Sequence, residues 1–217
     1  MLQFKTVNVW IEGTMPLLQH RFGEHAEASV PGGENGKGQV RSAMPGESET
    51  AREEAEKVCY RSKEGWLYLP STAIARLLRE QGGTMKAKGT RKSLKYIVPA
   101  AVLMSDEIIR LYDSDRKTPL RDFEIDSRPV TIPATKGRIM RHRPKLPIWT
   151  ANFRLRIKVD LLTETTVREL LDGGGACIGI GDYRPEKGGP FGTFDVVSWE
   201  IDGTSPAKQK PQRIAAS

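Results

Sequence analysis

Residues 148–175 read IWTANFRLRIKVDLLTETTVRELLDGGG, a strand followed by a helix, and their two patterns decide the fold class. Trp149, Ala151, Phe153, Leu155, Ile157 and Val159 share one parity, while Thr150, Asn152, Arg154, Arg156 and Lys158 share the other. Alternation with period two places the apolar set on a core and the cationic set on the opposite face of a sheet. The spacing then changes to that of a helix. Thr163 is placed to cap it, Leu162 and Val167 are spaced as a hydrophobic staple, and the three glycines at 173–175 are expected to end it.

Downstream, the loop GIGDYRPEKGGPFGTFDV (179–196) leads into a last strand, TFDVVSWEI. Glycine is costly to order and is favoured where φ is positive or where another group approaches closely. Gly179, Gly181, Gly188, Gly189 and Gly192 therefore mark either a phosphate cradle or a packing device. The loop follows a helix and precedes a strand, the reverse of the order in which a nucleotide-binding loop meets a helix N-terminus, which argues against ATP.

Upstream, Ser127 to Val159 contains nine lysines and arginines and no acidic residue. Its densest part, KGRIMRHRPK, lies between two extended stretches, so residues 128–150 are expected to form a projecting basic hairpin offering Lys136, Arg138, Arg141, Arg143 and Lys145. A second one-sign block, MKAKGTRKSLK (85–95), contains Lys86, Lys88, Arg91 and Lys92. Ordinary surfaces mix signs, so two such tracts beside strands point to a phosphate backbone as partner. The net charge of +7 and isoelectric point near 9.5 agree. Trp149, Phe153, Tyr183 and Phe191 are candidate stacking rings, although the first two share the core parity.

Near the start, residues 4–12 read FKTVNVWIE, in which Val7, Val9 and Ile11 face one way and Phe4, Thr6, Asn8 and Trp10 the other. From residue 13 to about 65 the pattern lapses into Gly, Pro, Ser and Glu, read as a mobile insertion ending in a short helix, SETAREEAEKV. LYLPSTAIARLLREQGG gives a helix capped by Ser71 or Thr72, with Ile74, Leu77 and Leu78 inward and Gly82 and Gly83 stopping it. YIVPAAVLMSDEIIRLYD is read as strand on both sides of a turn at Ser105 and Asp106.

The resulting order is β-α-β-β-α-β. It predicts an α+β, ferredoxin-like (RRM-like) sheet in one domain over 1–203, with both helices on one face and residues 204–217 as a disordered basic tail. No apolar run is long enough to span a bilayer as a helix, and the N-terminal residues lack a signal-peptide pattern. With only Cys59 and Cys177, neither a disulfide framework nor export is expected, and the cytoplasm of a bacterial host is the expected location. Neither a metal nor a cofactor is expected, because HRFGEH lacks ligand spacing and no Walker pattern is present.

LYLPSTAIARLLRE (67–80) resembles the Y-I-P-G-S-S-x-K-G-A-L-R stretch of the RAMP superfamily, the repeat-associated proteins of CRISPR systems. GIGDYRPEKGGPFGTFDV resembles that family's late glycine-rich loop, which surrounds a basic residue and ends in F-G-x-F. AEKVCYRSKEGWLYLPS and GDYRPEKGGPFG are similar to stretches of small phage and prophage proteins related to the CRISPR backbone subunit. The chain departs from the family at Ser71, where a glycine is usual, and at Ala75-Arg76, where lysine-glycine is usual.

The resemblance implies binding of single-stranded RNA or DNA by repeated copies, a homo-oligomer or a multi-subunit nucleoprotein complex, with Arg184 and Lys187 of the loop facing the backbone. Arg154 and Arg156, on the cationic parity of the 149–159 strand, are expected to join the contacts. An alternative is a metal-independent endoribonuclease using His20 or His142, and another is a phage structural or assembly protein.

Overall fold

The computed structural model describes residues 3–21, 50–87, 89, 91–131 and 137–202. Most of the expected insertion, residues 22–49, and the expected tail lie outside these residues.

The fold is mixed α+β with antiparallel sheets. Nine strands are described: β1 (Phe4–Gly13), β2 (Leu17–Leu18), β3 (Tyr68–Pro70), β4 (Val102–Met104), β5 (Ile108–Tyr112), β6 (Glu124–Thr131), β7 (Arg138–Leu146), β8 (Thr150–Lys158) and β9 (Phe194–Ile201). The helices are α1 (Ala51–Lys57), α2 (Thr72–Gln81), α3 (Val98–Ala101) and α4 (Glu164–Cys177). The larger sheet has the order β3-β5-β8-β1-β9, and β4 pairs with β8 beside β5. A smaller sheet has the order β2-β7-β6.

Alternation in β1 and β8 produces the core. Val7, Val9 and Ile11 stand opposite Leu155, Phe153 and Ala151 in the ladder, and all six are buried. Ile74, Leu77 and Leu78 of α2 and Val167, Leu170 and Leu171 of α4 join the same cluster. Both helices thus cover one face of the sheet. At α4, the Thr163 hydroxyl accepts from the backbone N–H of Thr166 at 3.2 Å, as its position predicts. At α2, Ser71 is the cap residue but is itself helical (φ −61°, ψ −23°) and makes no side-chain cap bond.

The glycines at 173–175 do not end α4, which runs through them to Cys177. Their role is approach distance. A Cβ on Gly174 would overlap the Leu77 side chain of α2, and one on Gly175 would overlap the Phe194 carbonyl of β9. Gly174 and Gly175, without side chains, let α4 lie against both neighbours at once.

Two further expectations are corrected. Residues 96–101, the start of the stretch read as strand, are helical turns: Ser93 caps the short helix Leu94–Tyr96 by accepting from Lys95 N–H at 3.0 Å, and α3 follows with Pro99 in its first turn. Proline is well tolerated there because that N–H has no intrahelical partner. The segment after β1 is also firmly placed as far as it is described. Leu17, Leu18 and Gln19 are buried, and β2 pairs with the end of β7.

Gln19 is bonded to three other chain segments. Its backbone N–H donates to the Pro144 carbonyl at 3.0 Å, its Nε2 donates to the Tyr68 carbonyl at 2.9 Å, and its Oε1 accepts from Tyr60 N–H at 2.9 Å. Buried polar atoms left unpaired cost ~1–3 kcal/mol each, so this residue locks the small sheet to β3. α1 carries a reciprocal capping box, in which Thr50 and Glu53 each accept the other's backbone N–H. Hydrogen bonding from Thr50 lowers the Glu53 carboxyl from its ordinary range.

Candidate nucleic-acid interface

No described helix covers the second face of the larger sheet. On β1 it carries Phe4, Thr6, Asn8, Trp10 and Glu12, which stand in register with Lys158, Arg156, Arg154, Asn152 and Thr150 of β8. Period-two alternation makes this a consequence of the buried set on the other face. The Arg156 guanidinium lies 4.6 Å from the centre of the Phe4 ring, and Lys158 Nζ lies 5.8 Å from it. Tyr112 of β5, paired with Thr150, brings its ring to 5.5 Å from that of Trp10. Asn152 is held by bonds from its amide to the Asn8 side chain (2.9 Å) and the Val9 carbonyl (3.0 Å).

The face is polarised. Arg154, Arg156 and Lys158 form a row along β8, spaced by two residues, about 7 Å. On the far side of β1, Glu200 of β9 stands opposite Asn8 and Asp195 opposite Glu12. Arg154 reaches Asp106 at 3.6 Å, with both side chains substantially exposed. Rings, amides and a cationic row on one open surface are the parts from which single-strand platforms are built.

The hairpin divides its cations. In β7, Arg138 shares a face with Met140 and His142, while Arg141, Arg143 and Lys145 point the other way. Arg143 is only 12% exposed and pairs with Asp182 at 2.8 Å, so it joins the hairpin to the glycine loop and is not offered to a ligand. Lys145 pairs with Glu124 at 2.9 Å across the strands. Arg138 and Arg141 are exposed. Arg128, opposite Arg141, binds the buried Asp126 at 2.8 Å and lies 4.6 Å from the centre of the Phe191 ring. Lys136 and Lys88 lie outside the described residues. Lys86 forms a bridge with Ser93, and Lys86, Arg91 and Lys92 are exposed on that turn, away from the β8 row in sequence and in ladder.

The glycine loop is a packing device. Gly179, Gly181, Gly188 and Gly192 have φ between 70° and 78°, in the left-handed region. The loop lies against β2: Asp182 N–H donates to the Leu18 carbonyl at 2.8 Å and Gly192 N–H to the Pro16 carbonyl at 2.9 Å. A Cβ on Gly181 would overlap the Leu18 carbonyl, and one on Gly189 the Tyr183 carbonyl. Arg184 turns inward, donating to the Gly181 carbonyl at 2.8 Å and to Glu186 at 2.7 Å, with 13% of its side chain exposed. The expectation that Arg184 faces a phosphodiester is thereby corrected. Lys187 is exposed.

Of the rings read as stacking candidates, Trp149, Phe153 and Phe191 are buried and Tyr183 alone is exposed. The set that the fold brings together on the open face, the exposed Phe4 and the half-buried Trp10 and Tyr112, was legible in part, since Phe4 and Trp10 fall on the polar parity of the first strand. Tyr112 required the ladder. His142 contacts Ser127 Oγ at 2.7 Å and stands 3.9 Å from Glu54. His20 lines a groove on the helix side of the sheet, and burial holds its imidazole below the ordinary value.

Together these features define an α+β protein with an antiparallel sheet, helices on one side and a polar, ring-bearing surface on the other. No protein-family model matches the chain, and no curated protein sequence matches it. Among solved structures it is similar to a chain of the Type III-B Cmr-beta bound to cognate target RNA, seen by cryo-EM, at 13% identity and a TM-score of 0.47 over 92% of this chain. It spans 61% of that neighbour's length. It is also similar to Cmr6 from Pyrococcus furiosus, at 10% identity and a TM-score of 0.46, over 90% of this chain and 100% of that one.

Proposed function

We propose that this chain is a RAMP-like protein that binds single-stranded RNA or DNA across the open face of its larger sheet. The carrying observation is the register that sets Arg154, Arg156 and Lys158 beside Phe4, Trp10 and Tyr112 on a surface no described helix covers. Cations neutralise successive phosphates, and the rings accept bases without regard to sequence. Duplex nucleic acid buries its base faces in the stack, so the rings favour a single strand.

The ferredoxin-like reading of the fold belongs to this proposal. It is supported by the antiparallel order β9-β1-β8-β5 together with the succession β1, α2, β4/β5, β8, α4, β9. The likeness of residues 67–80 and 179–196 to RAMP motifs supports the family reading, including several copies along one strand and kinship with phage proteins. Arg138, Arg141, Lys86, Arg91, Lys92 and Lys187, which lie off the β8 row, serve as separate secondary contacts.

The test compares nuclease-treated, repurified protein with two variants, Trp10→Leu and the charge reversal R154E/R156E. Both sites are on the uncovered face, so folding is retained and is checked by thermal melting. Binding of a labelled single strand is expected to weaken in both. Unchanged affinity in the charge-reversed variant would remove the open face from the proposal.

A further inference from the structure

On the helix side of the sheet, α2, residues 98–104, the glycine loop and the segment carrying His20 enclose an open groove of about 790 Å³. This is within the ~300–1,000 Å³ typical of small-ligand sites. Its apolar lining includes Leu69, Leu78, Val98, Val102 and Met104, and its cationic lining is Arg76, Arg79 and Arg184.

The charges at this rim do not cancel. Glu186 is shared by Arg76 and Arg184, and Glu80 is shared by Arg79 and Lys95. Four cations therefore divide two carboxylates, an excess of two positive charges, one of them contributed by Lys95, which pairs with Glu80 but lies outside the groove's lining. Asp182, the acidic residue of the lining, is already engaged by Arg143. A phosphomonoester carries roughly −1.5 to −2 at neutral pH, because its second ionisation falls near pH 6. A phosphodiester carries one negative charge. An excess of two cations beside an apolar floor is thus matched by a nucleoside bearing a terminal phosphate, better than by the interior of a strand.

A line of rings connects this groove with the open face. Arg110, on the same face of β5 as Tyr112, lies 4.2 Å from the centre of the Trp66 ring. Trp66 contacts Tyr68 at 6.0 Å, Tyr68 contacts Tyr60 at 5.6 Å, and Tyr60 lines the groove. The line passes over β3, at the edge of the sheet.

We propose that the groove is a second ligand site, which holds a nucleotide with a terminal phosphomonoester. Its base lies on the apolar floor and its phosphate between Arg76 and Arg79, with Arg184 held behind them by Glu186. Where the strand is the source, this rests on the single-strand reading above: the strand lies on the open face and its end turns over β3 into the groove.

The experiment measures the full chain against internally labelled RNA in four forms at one salt concentration: 5′-phosphate, 3′-phosphate, hydroxyl at both ends, and a closed circle. One phosphorylated form is expected to bind about tenfold more tightly than the hydroxyl form. Arg79→Gln removes one rim cation that is half exposed, and Ala75→Trp fills the groove from an exposed position of α2. Both are expected to erase that preference while leaving affinity for the circle unchanged.

Equal affinity for all four forms in the parent would overturn the proposal, as would a preference that survives Ala75→Trp. Adenosine or uridine monophosphate serves as competitor. Displacement of the phosphorylated end, with the circle left bound, supports the site and identifies free nucleotide as an equivalent source. Loss of circle binding in R154E/R156E with the end preference intact separates the two sites. If the circle never binds but the monophosphate does, the groove stands and the open-face reading falls.

Discussion

Replacing Arg154, Arg156 and Lys158 by glutamine removes the β8 row without adding repulsion, and the consequence is calculable. Each phosphate neutralised on a single strand contributes roughly −0.7 to the slope of log K against log salt. Three engaged cations therefore contribute about −2, and the variant's slope should be shallower by that amount. Over a fourfold rise from about 50 to 200 mM salt, the parent should lose roughly twentyfold more affinity than the variant.

Competition within the protein changes this little. The Arg154–Asp106 contact is 3.6 Å long and joins two exposed groups, a class of pair worth only ~0–1 kcal/mol, so a phosphate displaces it readily. The stacking of Arg156 on Phe4 leaves its outward N–H groups free to donate. The assay is fluorescence anisotropy of a labelled oligonucleotide over a salt series, with melting curves to confirm folding. Parallel salt dependences in parent and variant would refute the assignment of phosphate contacts to this row.

The α4 glycines make opposite predictions two residues apart. Alanine in place of glycine gains ~1 kcal/mol in a helix interior. At Gly173 the new Cβ meets only the amide end of Gln81 at 2.6 Å, which can swing away, so Gly173→Ala should raise the melting temperature by a few degrees. At Gly175 it meets the Phe194 backbone, and overpacking of ~1–3 kcal/mol should lower it. Shifts in the same direction would show that the α4–β9 distance is not what these glycines serve. His20 gives a pH prediction. Its folded-state pKa is depressed from 6.5, chiefly by burial, with Asp182 opposing and Arg143 and Arg141 reinforcing the shift. Below 6.5 the unfolded chain binds the extra proton first, so this contribution to stability is lost as pH falls from 6.5 through the depressed value. Urea midpoints of His20→Gln should fall less steeply with acid than those of the parent; identical profiles would remove His20 from the linkage.

What the sequence determined by itself is what local repetition encodes. The alternation of residues 149–158 placed the core and the cationic row on opposite faces, and Thr163 marked the start of α4, because side-chain direction in a strand and capping at a helix start depend on near neighbours. The same parity in the first strand already set Trp10 and Phe4 apart from Val7, Val9 and Ile11. Tertiary structure decided the rest. Arg184 and Arg143 read as available cations, yet the carboxylates of Glu186 and Asp182 claim them, and Asp182 lies 39 positions from Arg143 in the chain. Gly173 to Gly175 read as a stop, yet α4 runs through them, and Gly174 and Gly175 form a contact surface against Leu77 and Phe194. Trp10 met Tyr112 only through β8, which each of their strands pairs with. Composition and spacing state which groups a chain has; whether a charge is free or spoken for depends on distances between residues far apart in sequence, and only folding sets those.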